Sequence, residues 1–207
     1  MNIEKEIITE AQRLFDAVGV TPYGGGSLLI LGLVTTPERD LDDFFRDEDG
    51  TVRLRGFETH ARPRLNSLVH FIQGQGLSAE ILGRYSYPQG EELNLKQQAV
   101  AAGLGRWGKN SLLLHPRFGP QLRLMAVKVV GTSLSPTGPG RDSHEENTLC
   151  KDCTACIDAC PLGILEPYYL RDRSSCEADF SNLSQRGRLV ACDRCLVICP
   201  VGTKISP

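Results

Sequence analysis

Cys150-Lys151-Asp152-Cys153-Thr154-Ala155-Cys156-Ile157-Asp158-Ala159-Cys160-Pro161 sets four cysteines at C-x2-C-x2-C-x3-C spacing, with a proline directly behind the last. A shorter run, Cys192, Cys195 and Cys199, is again closed by a proline, Pro200, and Cys176 stands alone between the two. These are all eight cysteines of the chain. Each x2 step turns the backbone enough to set the next thiolate on another corner of one small polynuclear core. A fourth thiol four residues on, stiffened by proline, points away from that core.

In two-cluster bacterial ferredoxins the outlying fourth cysteine ligates the other cluster. That logic assigns one [4Fe–4S] cluster to Cys150, Cys153, Cys156 and Cys199, and a second to Cys160, Cys176, Cys192 and Cys195. Two simpler uses of cysteine fit less well. Zinc sites use C-x2-C pairs separated by a long loop and need no third thiolate three residues on. A disulfide framework needs an oxidising compartment, and Met1 to Glu10 lacks the apolar core of a signal peptide.

Working outward, 207 residues with cysteines only from position 150 suggest an N-terminal domain over 1–140 and a cluster domain over 141–207. The second piece is too short to hold itself together by apolar burial, so metal–sulfur bonds are expected to staple it. Composition is ordinary, 41% hydrophobic and 23% charged, and no stretch has the length of a bilayer span, so a cytoplasmic protein without a membrane partner is expected. A net charge of −2 gives no electrostatic footprint for nucleic acid.

Ile3, Ile7, Ile8, Ala11, Leu14, Phe15 and Val18 recur at helical spacing, which predicts one helix ended by Gly19. Ser27 to Val34 is a continuous apolar run of strand length, predicted to be buried on both faces. Glu38 to Gly50 reads as a solvated acidic loop anchored by Phe44-Phe45. Pro63 is placed as the first residue of a second helix with Leu65, Leu68, Val69 and Ile72 inward, and Gly74 and Gly76 behind it. Ala79 to Leu82 reads as a strand, Glu91 to Ala102 as a third helix, and Leu112 to Leu114 and Leu122 to Val130 as strands. This interleaving argues an α/β (α+β) layer. Gly131 to Thr148 has the composition of a linker.

Gly103-Leu104-Gly105-Arg106-Trp107-Gly108 is a literal G-x-G-x-x-G, yet a predicted helix precedes it where a dinucleotide site needs a strand before and a helix after. Read on to Lys109-Asn110, it misses a phosphate-binding P-loop, because Asn110 stands where a hydroxyl should hold Mg²⁺. Two roles for the glycines stay open: a helix stop with a tight turn, or close backbone approach to a bulky ligand. His60, His70, His115 and His144 show no metal spacing, and only His115 adjoins this region. Trp107 and Phe118 read as packing residues beneath the turn. Asn182-Leu183-Ser184 matches a glycosylation acceptor that a cytoplasmic chain would not use.

Ala102 to Leu113 (A-G-L-G-R-W-G-K-N-S-L-L), Pro116-Arg117-Phe118-Gly119-Pro120, the first cysteine run, and Ala191-Cys192-Asp193-x-Cys195 with Cys199-Pro200 together resemble the epoxyqueuosine reductase family. Reductive dehalogenases share a related glycine stretch, turn and two-cluster tail. The resemblance implies a cobalamin in an N-terminal domain of nitroreductase-like ancestry, and a substrate above the corrin. It places a cofactor-binding role on Gly103, Gly105, Gly108, Lys109 and Asn110. Where that family has an Asp, then a Pro, then a Glu-Arg pair, this chain has Gln89, Glu92 and Leu95-Lys96. Glu91 and Glu92 are the nearest replacements for the missing acid, and Tyr85 or Tyr87 matches the tyrosine proton donor of dehalogenases. The helical repeats that full-length queuosine enzymes use toward tRNA have no counterpart before Pro207.

Two functions follow as expectations. One is an oxidoreductase that passes electrons from its clusters to a cobalamin or substrate in the α/β domain, fed by a redox partner as electron donor. The other is an electron-transfer protein without its own substrate that reduces a partner such as a corrinoid protein.

Overall fold

The computed structural model describes residues 2–46, 48, 52–82, 93–140, 146–172, 175–176, 184–185, 188–189 and 192–202. Helix α1, Ile3–Leu14, is capped by Asn2, whose Oδ1 accepts from the backbone N–H of Glu4 at 3.1 Å and of Lys5 at 3.3 Å. It ends four residues earlier than the apolar stripe suggests. Phe15 is extended, and Ala17–Tyr23 forms strand β1, pairing Val18 with Leu31 and Gly19 with Ile30. Asp16 fixes the change of direction: its carboxylate accepts from the Val34 N–H at 2.8 Å and pairs with Arg39. Gly19 therefore does not stop a helix. A Cβ there would lie 2.9 Å from both the Ala102 Cβ and the Leu104 Cγ, so glycine lets the next layer sit close on the strand.

Gly24 and Gly25, both at positive φ (52° and 75°), turn the chain into β2, Gly26–Val34. Strand β3, Phe44–Arg46, pairs with β4, Val52–Leu54, so the acidic segment is not simply a solvated loop. Leu41 and Phe44 are buried, and the Asp42 carboxylate accepts from the Arg123 Nε at 2.7 Å. A π-helical turn, Phe57–Ala61, leads into α2, Arg62–Gly74, so Pro63 lies in the first turn of a helix already begun. Strand β5 is Ser78–Leu82 and α3 is Leu95–Ala101, the latter capped by Asn94, whose Oδ1 accepts from Gln97 N–H.

After α3 come a two-strand hairpin, β6 (Arg106–Trp107) with β7 (Leu113–Leu114), and β8, Leu122–Val130. The central sheet runs β1-β2-β8-β5, antiparallel throughout. Leu29, Leu31 and Leu33 of β2 meet α1 and α2 through Ile7, Ala11, Leu65, Leu68 and Ile72. Leu28, Ile30 and Val34 meet Leu95, Ala99, Val100 and Leu104 on the opposite face. This α/β/α sandwich is why β2 is apolar at almost every position.

The loop after β8 is tied down as far as Gly140. Leu134 N–H donates to Ser27 Oγ at 2.9 Å. Thr137 Oγ1 accepts from Val20 N–H at 2.8 Å and donates to the Ala102 carbonyl at 2.6 Å. The cysteine half then holds a 3-10 turn (Thr148–Cys150), α4 (Ala155–Asp158), the hairpin β9 (Leu165–Glu166) with β10 (Tyr169–Leu170), strands β11 (Ser184–Gln185) and β12 (Arg188–Leu189), and α5 (Arg194–Val197). Leu189 of β12 pairs with Phe44 of β3, joining the two halves through a second sheet ordered β11-β12-β3-β4. Among the described residues no helix is long and apolar enough to cross a membrane.

A candidate metal centre against the glycine turn

Cys150, Cys153, Cys156 and Cys199 line one cavity together with Lys109, Asn110, Leu114 and Pro200. Three of these thiols come from the first run and one from the second. Asn147 organises the first run: its Oδ1 accepts from Leu149 N–H at 2.9 Å and its carbonyl from Cys150 N–H at 3.0 Å. The Cys150 carbonyl then accepts from Cys153 N–H at 3.2 Å, and α4 carries Cys156. Cys199 follows α5, its N–H donating to the Leu196 carbonyl at 3.3 Å.

A second group of thiols adjoins the first. Cys195 has its thiol pKa pushed up to about 12 by burial first, and then by the charges of Cys176, Cys192 and Cys156. Burial and the neighbouring Cys199 and Cys153 raise Cys156 in the same way. Cys156 is thus within electrostatic reach of both groups. Cys160 sits in a loop of inward N–H groups; slight burial raises its thiol, and the amides of Ile164, Leu162, Gly163 and Leu165 more than reverse this, so its pKa is lowered.

All eight cysteines are free thiols. Among the described residues no three Cys, His, Asp or Glu side chains converge closely enough to hold a single metal ion. Thiols that ring a cavity without meeting at a point suit a polynuclear iron–sulfur core better than one tetrahedral ion.

Lys109 and Asn110, directly behind the glycine turn, line this cavity. Helix α3 precedes the turn and a hairpin follows, so no helix N-terminus faces a phosphate site here. Atoms of the chain fill the space a side chain would need. A Cβ on Gly103 (φ 74°) would stand 2.9 Å from Gly138 Cα, one on Gly105 2.3 Å from the Leu114 carbonyl oxygen, and one on Gly108 2.6 Å from Asn110 Oδ1. Lys109 Nζ donates to the Lys151 carbonyl at 2.5 Å, while its own carbonyl accepts from Tyr168 N–H at 3.2 Å. Asn110, 5% exposed, donates through Nδ2 to the Cys195 carbonyl at 3.3 Å and accepts at Oδ1 from Leu112 N–H at 3.2 Å. The two residues thus reach both cysteine runs.

The Phe-Gly-Pro turn completes the contact. Cβ atoms on Gly119 (φ 55°) and Gly202 (φ 91°) would stand 1.9 Å from the Val201 carbonyl oxygen and 2.3 Å from Gly119 N. His115 shapes this turn: Nδ1 accepts from the N–H groups of Arg117 at 3.1 Å and Phe118 at 3.3 Å, and the ring stacks on Phe118. Burial, then Arg117, lowers its pKa, keeping the ring neutral for that acceptor role.

Tyr85, Tyr87, Glu91 and Glu92 lie outside the described residues. Asn147 and Tyr168 were not singled out by sequence. Asn147 is fully buried; its Nδ2 donates to the Trp107 carbonyl at 2.9 Å and its N–H to the Tyr168 hydroxyl at 3.1 Å. An Asn three residues before the first cysteine hints at an Asx turn, but nothing local foretells the positive φ of Tyr168 (65°).

No family model matches the chain. Tetrachloroethene reductive dehalogenase of Dehalobacter restrictus is 40% identical over 81 residues, 39% of this chain and 14% of that one. Epoxyqueuosine reductase of Listeria monocytogenes is 32% identical over 119 residues, covering 53% and 30%. That of Synechococcus is 35% identical over 125 residues, covering 54% and 36%. Epoxyqueuosine reductase from Streptococcus thermophilus superposes with a TM-score of 0.64 at 16% identity, over 100% of this chain and 70% of that one. A catabolic reductive dehalogenase gives 0.66 at 15% identity, over 97% and 32%. This chain is a relative of both. It spans a minority of the length of the curated relatives above. The α/β sandwich with its antiparallel sheet is accordingly a fold shared by epoxyqueuosine reductases and reductive dehalogenases.

Proposed function

We propose that the chain is an oxidoreductase in which two [4Fe–4S] clusters relay electrons from a redox partner to a cobalamin or a substrate on the α/β part. The carrying observation is the cavity ringed by Cys150, Cys153, Cys156 and Cys199, thiols drawn from both runs. Cys160, Cys176, Cys192 and Cys195 would hold the second cluster. The division into residues 1–140 and a ferredoxin-like 141–207 belongs to the same reading, as does a cytoplasmic setting, which suits eight free thiols. Bound there, the clusters supply one-electron transfer at low potential.

The chain's own residues have three tasks. The thiols must give up their protons on ligation, which takes most from Cys195, the most strongly raised. Leu114 and Pro200 keep the cavity wall apolar. Asn110 and Lys109 hold the two runs at the turn. Lys109 and Asn110 are thereby assigned to docking the cysteine runs, while Gly103, Gly105 and Gly108 let the turn close on Gly138, Leu114 and Asn110; close backbone approach of this turn to a bulky cofactor belongs to the same reading. Cobalamin is supported by relatedness, one structural neighbour being a reductive dehalogenase described as suggesting a mechanism for B12-dependent dehalogenation.

The test is anaerobic purification, iron and sulfide quantitation, and spectral titration with cobalamin before and after reduction. About eight irons per chain and a shift of the corrin bands are expected. Absence of iron and sulfide would overturn the reading. Clusters without corrin binding would redirect it to an electron carrier that reduces a partner such as a corrinoid protein.

A further inference from the structure

We propose that Lys109 sets the reduction potential of the cluster in the Cys150, Cys153, Cys156 and Cys199 cavity, and leaves that of the second cluster nearly unchanged. This rests on the cluster assignment above and adds a role that ligand spacing does not contain.

Among the described residues lining the cavity, Lys109 is the one with a charged side chain other than the thiols. Its position is fixed at three points. Its ammonium donates to the carbonyl of Lys151, which lies in the loop between Cys150 and Cys153. Its carbonyl receives the Tyr168 N–H, and the turn around it is closed by Gly108 N–H to the Leu112 carbonyl at 2.8 Å and Ser111 N–H to the Gly108 carbonyl at 2.9 Å. Lys109 is half-buried as a residue although its ammonium meets Lys151 in an exposed hydrogen bond, and a cation tethered in one place acts more steadily on the charge it faces than one on a freely moving side chain.

The chemistry is a single electron entering the cluster from an external reductant, with no bond made or broken. The cluster and its four thiolates gain one negative charge. An ammonium at the cavity wall stabilises the reduced state more than the oxidised one, which raises the potential. Lys109 does not line the wall of the second thiol group by any described contact; the neighbour that reaches there is Asn110, a neutral amide bonded to the Cys195 carbonyl. On this assignment Lys109 adds a charge asymmetry between the two centres.

The experiment is spectroelectrochemical reduction of the anaerobically purified full chain, followed by low-temperature EPR, for wild type, Lys109→Gln, Lys109→Met and Lys109→Arg. Glutamine keeps a donor for the Lys151 carbonyl without the charge, methionine keeps length without either, and arginine keeps the charge. In both neutral variants one of two reduction waves is expected to move to lower potential by about tenfold in the reduction equilibrium, ~59 mV for one electron, while Lys109→Arg stays near wild type. Potentials are read on the loaded fraction, so partial iron loss does not obscure the result. An unchanged wave in Lys109→Gln, equal movement of both waves, or neutral variants that load no cluster while Lys109→Arg does would overturn the proposal and leave Lys109 a structural tether. A wild-type chain without iron would instead sink the cluster assignment itself.

Discussion

Asn110 carries more of the architecture than its size suggests. It is a buried amide joining the hairpin that follows α3 to the backbone of the second cysteine run. Asn110→Ala leaves the Cys195 carbonyl and the Leu112 N–H without their partner, a loss of about 1–3 kcal/mol. A lower denaturation midpoint is expected in urea titration, with iron lost before the α/β part unfolds. The thiols are also unequal as acids. In the metal-free chain, alkylation followed by mass spectrometry is expected to label Cys160 first, since backbone amides favour its thiolate. Cys195, pushed up to about 12 by burial and neighbouring thiolates, is expected to be labelled among the last. Equal rates would show that these local fields do not persist in solution.

The Pro116–Pro120 turn works as a platform because two glycines meet across it. Gly202→Ala puts a Cβ 2.3 Å from Gly119 N at a φ of 91°, where an L side chain is strained by at least ~1–2 kcal/mol. The expected outcome is a lower iron content and a lower melting temperature than wild type. His115 gives the same turn a pH dependence. Its folded pKa lies below the ordinary value of 6.5, so the unfolded chain takes up a proton more readily in between. The stabilisation is complete above 6.5 and is lost as pH falls through and below it. Melts over that range are expected to show a steeper acid loss in wild type than in His115→Gln. Elements differ in how plainly they could be read. Strand β2 announces itself because both faces are covered, so every position is apolar. The end of α1 does not, since Val18 continues a helical stripe while also fitting a strand, and only the pairing with Leu31 decides. Likewise Glu38 to Gly50 looks solvated until Arg123, from β8, is brought to Asp42.

Across the two halves, the sequence speaks about chemistry more clearly than about docking. Thiol spacing names the kind of centre to expect because consecutive ligands are local in the chain. That Asn147 would meet Trp107, or Lys109 would meet Lys151, depends on contacts some forty residues apart and leaves no periodic trace. The sheet order is hidden for the same reason. Cys199→Ala removes the one cavity thiol that comes from the second run, and is expected to cost about four of about eight irons by chemical analysis. Retention of all iron would break the shared-ligand assignment. The mixed origin of that cavity also imposes an order of assembly during synthesis. A ribosome releases the sandwich and the hairpin platform first, then Cys150, Cys153 and Cys156, and Cys199 last. For that interval a nascent chain presents a three-thiol cup on a finished base. On the proposed ligand assignment, iron delivered in that interval would meet three of its four thiolates, so the complete set forms only once Cys199 has emerged.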